Sequence, residues 1–121
     1  MEFKANSPIY LQVITDIERK IIAGEIELGS KLPSSRELAL EYQINPNTAA
    51  RVYNEMEQMG LSYTKRGIGS FVTDEAGAIQ TMKESLIKEM ILEFDERISG
   101  LGFSPEETIN LLEEYYKQKC S

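Results

Sequence analysis

The fold of this chain is decided by residues 32–72, LPSSRELALEYQINPNTAARVYNEMEQMGLSYTKRGIGSFV. Ser34 followed by Glu37 has the spacing of a capping box, in which the serine hydroxyl and the glutamate carboxylate each satisfy an unpaired backbone N–H group. A second helix start follows at Asn45, because asparagine caps helices well and Pro46 fits a first helical position that needs no backbone donor. The segment therefore predicts two consecutive helices.

These two helices are close enough in sequence to form a helix-turn-helix, since only Gln43 and Ile44 remain for the turn between them. Helical spacing predicts that the second helix buries four apolar side chains, Ala49, Val52, Met56 and Met59. Its polar side chains then point outward, Asn47, Thr48, Arg51, Asn54 and Glu55. Short polar side chains with one arginine near the first turn are typical of a helix that contacts base edges in a major groove. We interpret this helix as a candidate recognition helix.

After Gly60 the pattern changes from helical spacing towards the alternation of strands. Leu61, Tyr63 and Phe71 predict two short strands, joined by Lys65-Arg66-Gly67-Ile68-Gly69. Glycine permits backbone conformations that other residues avoid and allows close approach to a ligand. With two basic side chains beside it, this hairpin tip suits a phosphate or minor-groove contact.

One further helix is predicted before this segment, over residues 7–23. Ser7 would cap it and Pro8 would take the first helical position, ahead of apolar side chains at helical spacing, Tyr10, Ile14, Ile17 and Ile21. A connector and a short strand around Lys31 would follow. We therefore expect residues 1–73 to form a winged helix-turn-helix DNA-binding domain, so that the fold is mainly α with a small β-hairpin wing (α+β).

Residues 74–121 predict a two-helix region, with a long helix over residues 74–101 and a shorter one after Ser104, where Glu107 repeats the capping-box spacing. Both helices carry apolar stripes, and isolated helices gain most of their stability from packing. A twofold interface with a second copy would bury both stripes. We expect a homodimer through residues 76–119. Its interface is assigned to Ile79, Met82, Leu86, Met90, Phe94, Ile98, Leu112 and Tyr116.

Such a dimer has a direct consequence for DNA binding. Two recognition helices related by a twofold axis would meet half-sites about one turn of DNA, ~34 Å, apart or a multiple of it. Once the DNA-binding domain of one copy (its head) is bound, the head of the second copy would bind at a high effective concentration. We expect a palindromic or pseudo-palindromic operator.

The motifs PSSRELA, NPNTAARVYNEMEQMGL and YTKRGIGSFV, in this order and spacing, resemble the GntR family of bacterial transcription regulators. The upstream SPIYLQVITDIERKIIAGEIELGSKL is similar to the family's first helix and connector, so the resemblance covers residues 7–73. The short C-terminal region and the NPNT start are most similar to the YtrA-like subfamily. The resemblance implies a dimeric repressor that binds operator DNA, and the subfamily implies control of a transporter operon.

The resemblance also implies which residues contact the DNA. They are an arginine early in the second helix, the start of the recognition helix, and the wing glycine with its basic neighbours. The predicted DNA-binding set is Ser35, Arg36, Asn45, Pro46, Asn47, Thr48, Arg51, Lys65, Arg66 and Gly67. Many family members have arginine at the positions of Pro46 and Ala50, so the operator sequence of other members cannot be carried over.

Other interpretations of these residues stay open. Arg36 could pair with Glu37 or Glu41, and Arg51 with Glu55 one helical turn away. The winged helix could instead be a protein-interaction module, with the acidic C-terminal region contacting a basic partner. A small-molecule effector lodged between the C-terminal helices of two subunits is a further hypothesis.

The distribution of charge qualifies the acidic composition. The formal net charge is −7 and the pI is about 4.7, whereas nucleic-acid binders are usually basic. Residues 1–73 carry eight basic and nine acidic side chains, and residues 74–121 carry five and eleven. The acidity therefore lies mostly outside the predicted DNA-binding domain, and screening acts over ~8–10 Å. With few phosphate contacts available, a single head should bind DNA weakly.

The composition argues against an enzyme. The chain has no histidine, the commonest general base and metal ligand. The acidic pairs Glu106-Glu107 and Glu113-Glu114 are sequence neighbours, which do not face each other on a helix. No P-loop, dinucleotide fingerprint or cysteine cluster is present. We expect no catalysis, no cofactor and no metal site.

The remaining sequence features bear on location and redox chemistry. The chain has no apolar run of the ~20 residues that would span a bilayer, and its N-terminus lacks an apolar run of signal-peptide length. We expect a cytoplasmic protein without a membrane partner. The single cysteine, Cys120, is interpreted as a solvent-exposed tail thiol, with a redox sensor as the alternative.

Overall fold

The computed structural model describes residues 1–120 of the chain and confirms the mainly α fold with a small β wing. Its described elements are α1 (Ile9–Ile22), α2 (Ser35–Tyr42), α3 (Pro46–Gln58), β1 (Ser62–Lys65), β2 (Gly69–Val72), α4 (Ala78–Gly100) and α5 (Pro105–Lys119). Strands β1 and β2 pair antiparallel.

The chain divides into two compact units, Met1–Lys83 and a second unit that starts at Glu84. The division falls ten residues after the boundary that the sequence analysis placed at residue 73, because the first turns of α4 belong to the first unit. Ser121, the last residue of the predicted C-terminal region, lies outside the described residues.

The core of the first unit collects apolar side chains from α1, α2, α3, the wing and the start of α4. Its buried members are Val13, Ile14, Ile17, Ile21, Leu32, Leu38, Ala39, Tyr42, Ala49, Val52, Tyr53, Met56, Leu61, Val72 and Met82. The predicted burial of Ala49, Val52 and Met56 is confirmed, and none of the three is accessible to solvent.

Met59 was predicted to be buried, and this is wrong because half of its surface is exposed. α3 ends at Gln58, and the chain reverses at Gly60, which has a φ of +77°. Leu61 then folds back, its amide donating to the Met56 carbonyl over 2.9 Å, and takes the buried place. Gly60 is therefore the predicted helix stop.

The predicted caps of α2 and α3 are confirmed. Ser34 Oγ accepts a hydrogen bond from the Glu37 amide, and Glu37 Oε1 accepts one from the Ser34 amide, each over 3.1 Å. The backbone N–H of Ser34, with its hydroxyl, lowers the pKa of Glu37 below its ordinary 4.5. The ionised Glu37 carboxylate therefore stabilises the folded state. This contribution is fully present above pH 4.5, the ordinary pKa, and is lost as the pH falls through the lower pKa of the folded state. Asn45 Oδ1 accepts from the Asn47 amide over 2.8 Å, with Pro46 at the first helical position.

α1 starts differently from the prediction. Its N-cap is Pro8 and not Ser7, and its first helical residue is Ile9. The Gln12 side chain fixes the lead-in instead: Oε1 accepts from the Lys4 amide over 2.8 Å, and Nε2 donates to the carbonyls of Lys4 and Ser7 over 2.8 and 2.9 Å. A side chain from inside the helix therefore ties the lead-in segment to α1, and no described side chain caps the amides of the first helical turn.

Two tyrosines anchor the helix-turn-helix to its surroundings. The Tyr42 hydroxyl donates to Asp16 Oδ2 over 2.6 Å, and Lys20 Nζ lies 3.3 Å from the same hydroxyl. Burial, followed by the bond to Asp16, raises the pKa of Tyr42. The Tyr53 hydroxyl donates to the Pro33 carbonyl over 2.5 Å. These bonds tie α2 to α1, and α3 to the segment that precedes α2.

The two predicted strands of the wing are present, with Tyr63 opposite Phe71. Lys65 and Gly69, which the sequence analysis placed in the joining segment, are the last pair of the ladder. The predicted short strand at Lys31 is present as a single bridge to Phe71. Next to that bridge, the Leu32 amide donates to the Ser70 carbonyl over 2.8 Å. The wing is thereby attached along one edge to the connector that leads from α1.

The second unit contains most of α4 and all of α5, and it exposes many apolar side chains. Ser104 and Glu107 form the predicted capping box at the start of α5. The exposed large apolar side chains of α4 and α5 are Ile87, Met90, Ile91, Leu92, Phe94, Ile109, Leu111, Tyr115 and Tyr116. Within residues 1–120, the helices are too short or too polar for any of them to cross a membrane.

Two of the predicted dimer-interface residues are already buried within the single chain. Met82 is 1% exposed and belongs to the core of the first unit, and Leu86 is 7% exposed. Each therefore has little surface left for a second copy. Of the other predicted residues, Ile79, Ile98 and Leu112 are half-buried, whereas Met90, Phe94 and Tyr116 are exposed.

Replacing Ser34 with alanine should lower the free energy of unfolding by about 1 kcal/mol, because the Glu37 amide loses its acceptor at the start of α2. Urea unfolding at pH 7, followed by circular dichroism, measures the change. Ser35→Ala removes the same hydroxyl one residue later, outside the cap, and should stay within about 0.5 kcal/mol of the parent. Equal losses in the two variants would contradict the assigned role of the cap.

Candidate nucleic-acid interface

The start of α3 presents short polar groups and a helix N-terminus. Asn45, Pro46 and Asn47 are exposed, and Thr48 is half-buried. The first turn carries no acidic side chain, so the partial positive charge of the helix N-terminus is not neutralised locally. A helix end of this kind favours anions such as phosphate. The structure thus places these four predicted DNA-binding residues together at one end of α3.

Arg51 lies one turn further along α3 and is exposed. Its guanidinium carbon is 3.9 Å from the centroid of the Tyr10 ring. The alternative pairing with Glu55 is not formed, since no ion pair within 4.0 Å joins these two residues in the described chain. Because a tyrosine ring carries no charge, the positive charge of Arg51 has no counter-ion within 4.0 Å in the described chain.

Arg36 occupies the second position of α2 and is exposed, next to a half-buried Ser35. Both of its suggested acidic partners have other roles. Glu37 accepts from the Ser34 amide in the capping box, and Glu41 lies 3.7 Å from Lys20 Nζ. Across residues 1–120 no salt bridge engages Arg36, so its donors remain available.

The wing tip combines basic side chains with a tight turn. Lys65 Nζ lies 4.8 Å from the Phe71 ring centroid and 5.9 Å from that of Tyr63, and the two rings stack with their centroids 5.8 Å apart. Arg66 and Gly67 are exposed. The turn is closed by the Ile68 amide, which donates to the Lys65 carbonyl over 2.9 Å. Lys65 is therefore supported by its own strands.

Two features of this surface have no counterpart in the sequence analysis. The Thr64 amide donates to Glu57 Oε1 over 3.3 Å, which connects the wing to α3. Arg51 contacts Tyr10, which the sequence analysis assigned only to the apolar face of α1. Neither pair has a diagnostic spacing along the chain. The sequence carried a signal only for the strands of the wing, around Tyr63 and Phe71.

The fold and these exposed cationic groups define a winged helix-turn-helix DNA-binding protein. The model of the bacterial regulatory proteins of the gntR family matches residues 9–72, and the chain belongs to this GntR family. Its members here are DNA-binding transcriptional regulators and not enzymes.

Two curated relatives match most of the chain. It is 37% identical over 108 residues to the HTH-type transcriptional regulator YhcF of Bacillus subtilis, with 89% of each chain covered. It is 35% identical over 96 residues to the HTH-type transcriptional repressor YtrA of the same species, over 74% of this chain and 73% of that one. The second match supports the YtrA-like subfamily.

Solved structures agree with this assignment. A GntR family transcriptional regulator from Listeria monocytogenes superposes with a TM-score of 0.77 at 34% identity, over 93% of this chain and 98% of the other. The DNA-binding domain of AraR, solved in complex with operator ORX1, gives a TM-score of 0.54 at 27% identity, over 60% of this chain and 93% of that one. AraR, whose DNA-binding domain resembles residues of this chain, was thus solved bound to operator DNA.

Replacing Gly67 with alanine should destabilise the wing by about 1 kcal/mol, because its φ of +78° is unfavourable for any residue with a Cβ. Crowding is not the cause, since a Cβ at Gly67 would meet no heavy atom of the described chain within 4 Å. Urea unfolding and hydrogen exchange of the wing amides measure the effect.

The matched control for this prediction is Gly100→Ala, at the last residue of α4. Gly100 also has open space around its Cβ position within residues 1–120, but it has a helical backbone with no positive φ. Alanine there should leave the unfolding free energy unchanged or raise it by up to about 1 kcal/mol. A wing that tolerates Gly67→Ala as well as α4 tolerates Gly100→Ala would disprove the strain argument.

Proposed function

We propose that this chain is a dimeric repressor that binds a palindromic or pseudo-palindromic operator through the winged helix-turn-helix of each copy. The observation that carries the proposal is that Arg36, Arg51 and Lys65 are exposed cations with no ion pair in the described chain. Together with the start of α3, they supply charge for phosphates and donors for base edges. Ser35, Arg66 and Gly67 complete the proposed contact set.

The sources of base recognition and of general affinity differ in this proposal. Asn47, Thr48 and Arg51 lie in the first two turns of α3, the part of a recognition helix that meets base edges. Lys65 and Arg66 at the wing tip suit phosphate or minor-groove contacts, which add affinity but little sequence information. Each copy then makes few phosphate contacts, so binding should depend on both heads.

The exposed apolar side chains of α4 and α5 support a homodimer. Phe94, Met90 and Tyr116 have exposed fractions of 40%, 49% and 55%, and soluble monomers rarely expose large contiguous apolar patches. A second copy related by a twofold axis would cover the same patch on both chains. The proposed interface therefore keeps Ile79, Met90, Phe94, Ile98, Leu112 and Tyr116.

Two observations bear on the regulated genes and on the signal. The YtrA-like subfamily supports control of a transporter operon. On α5, an open apolar depression of about 500 Å³ is lined by Ile109, Leu112, Tyr116 and their neighbours. A small apolar effector could lodge there once a second subunit closes it, since ligand sites usually enclose ~300–1,000 Å³.

Arg36→Ala and Arg51→Ala should each weaken operator binding by about 1–3 kcal/mol per head, because each removes a cationic hydrogen-bond donor from the interface. The probe is the duplex that the parent chain enriches most from a randomised pool, and affinity is measured by fluorescence anisotropy over a range of salt concentrations. The parent should show a steep negative slope of log affinity against log salt.

Arg19→Ala is the matched control, because it removes an exposed arginine from the last turn of α1, outside the proposed contact set. It should bind within twofold of the parent. If the parent enriches no duplex and shows no salt slope, DNA recognition is not its function and a protein-interaction role replaces it. If the parent binds DNA but the Arg36 and Arg51 variants bind like Arg19→Ala, the assignment of these two contacts is wrong, although DNA recognition stands.

Phe94→Glu should convert the dimer to monomers at micromolar concentration, because a carboxylate in an apolar interface lacks a partner that compensates for its lost hydration. Sedimentation equilibrium measures the mass. Leu40→Glu places the same charge on a leucine that is 75% exposed in α2, and it should stay dimeric. A parent chain that is itself monomeric would contradict both the proposed homodimer and the proposed palindromic operator.

A further inference from the structure

Tyr10 and Arg51 are brought together from two different helices. Arg51 lies on α3 with its guanidinium carbon 3.9 Å from the centre of the Tyr10 ring, and Tyr10 is the second residue of α1. The ring is half-buried and packs against the core, whereas the arginine is exposed. One face of the guanidinium is thus covered by an uncharged aromatic ring, which forms no ion pair with it.

We propose that Tyr10 is a positioning residue for operator recognition, which holds the Arg51 side chain in place before DNA arrives. The inference rests on the proposed function in one respect, that Arg51 contacts DNA. Through its ring, α1 would then contribute to DNA affinity without touching the DNA.

The geometry of a guanidinium explains why stacking and recognition are compatible. Its five N–H groups lie in the plane of the group, whereas an aromatic ring contacts the face of that plane. Arg51 can therefore stack on Tyr10 and still donate two parallel hydrogen bonds to a guanine or a phosphate. An ion pair with Glu55 would have used the same donors, and none is formed within 4.0 Å in the described residues.

The expected gain comes from ordering. A long side chain that is immobilised only on binding costs about 0.5–1.5 kcal/mol, and a stacked one has lost much of that freedom already. The cost corresponds to a roughly two- to tenfold change in affinity for each head. A dimer with two heads on one operator would show the effect twice.

The ring is well placed for this task because it packs on the core and the segment that leads into its helix is tied down. Core packing holds it from within the first unit. The Gln12 side chain holds the lead-in to α1, with three hydrogen bonds to Lys4 and Ser7 of 2.8 to 2.9 Å. Tyr10 therefore offers Arg51 a fixed surface and not a second mobile group.

The test is a double-mutant cycle on the full chain, with the duplex that the parent enriches from a randomised pool as the probe. Tyr10→Leu keeps apolar bulk and removes the ring, and it should weaken binding about two- to tenfold per head. Tyr10→Phe keeps the ring face and should bind within twofold of the parent. The salt slope should be unchanged in both, because neither variant adds or removes a charged group.

The second arm of the cycle separates positioning from a merely structural role. In an Arg51→Ala background, Tyr10→Leu should cause no further loss, since the side chain that it positions is gone. A loss in that background as large as in the parent would overturn the proposal and assign Tyr10 to the stability of the fold. If Arg51→Ala itself binds like the parent, the contact assignment of the proposed function fails instead.

A readout without DNA completes the test. In the free parent chain, the ring should shift the NMR resonances of the Arg51 side chain, and Tyr10→Leu should return them to the values of an unstacked arginine. Unshifted resonances in the parent would overturn the proposal whatever duplex is used. A shift in the parent, together with a loss of affinity in Tyr10→Leu but not in Tyr10→Phe, would support it.

Discussion

Burial of one face of α3 is the constraint on which the rest of this structure depends. Ala49, Val52 and Met56 have no solvent-accessible surface, and they pack in one core with the isoleucines of α1. A helix that buries these three positions can turn only one remaining face to solvent, and that face carries the polar residues of its first turns. Apolar packing, not any polar contact, therefore decides which side chains α3 turns to solvent.

Three carboxylates near the proposed contact surface hold structural donors and do not pair with its arginines. Glu37 caps α2, Glu41 pairs with Lys20, and Glu57 accepts from the Thr64 amide in the wing. The carboxylates thus hold backbone and lysine donors in place, while Arg36 and Arg51 take no part in those bonds. Net charge alone would have given the opposite impression of this surface, since short-range contacts outweigh charges beyond a screening length.

Local rules predicted the starts of α2, α3 and α5 and the two strands of the wing. Capping residues such as Ser34 and Asn45 act within three positions, so their partners are visible in the sequence. Met59 and Met82 could not be placed in this way, since helical spacing says which side chains share a face but not where the chain will turn or what will cover them. The stacking of Arg51 on Tyr10 was equally invisible, because it joins residues far apart in sequence.

Met82 also bears on where the DNA-binding head ends as a folding body. The GntR match stops at residue 72, yet the core continues to Met82, with Ala78 packed against it. The first turns of α4 therefore complete the core of the DNA-binding unit. A chain cut after the wing would expose apolar core residues to solvent. A chimera that exchanges C-terminal regions between such regulators would have to keep the first turns of α4 with the DNA-binding unit.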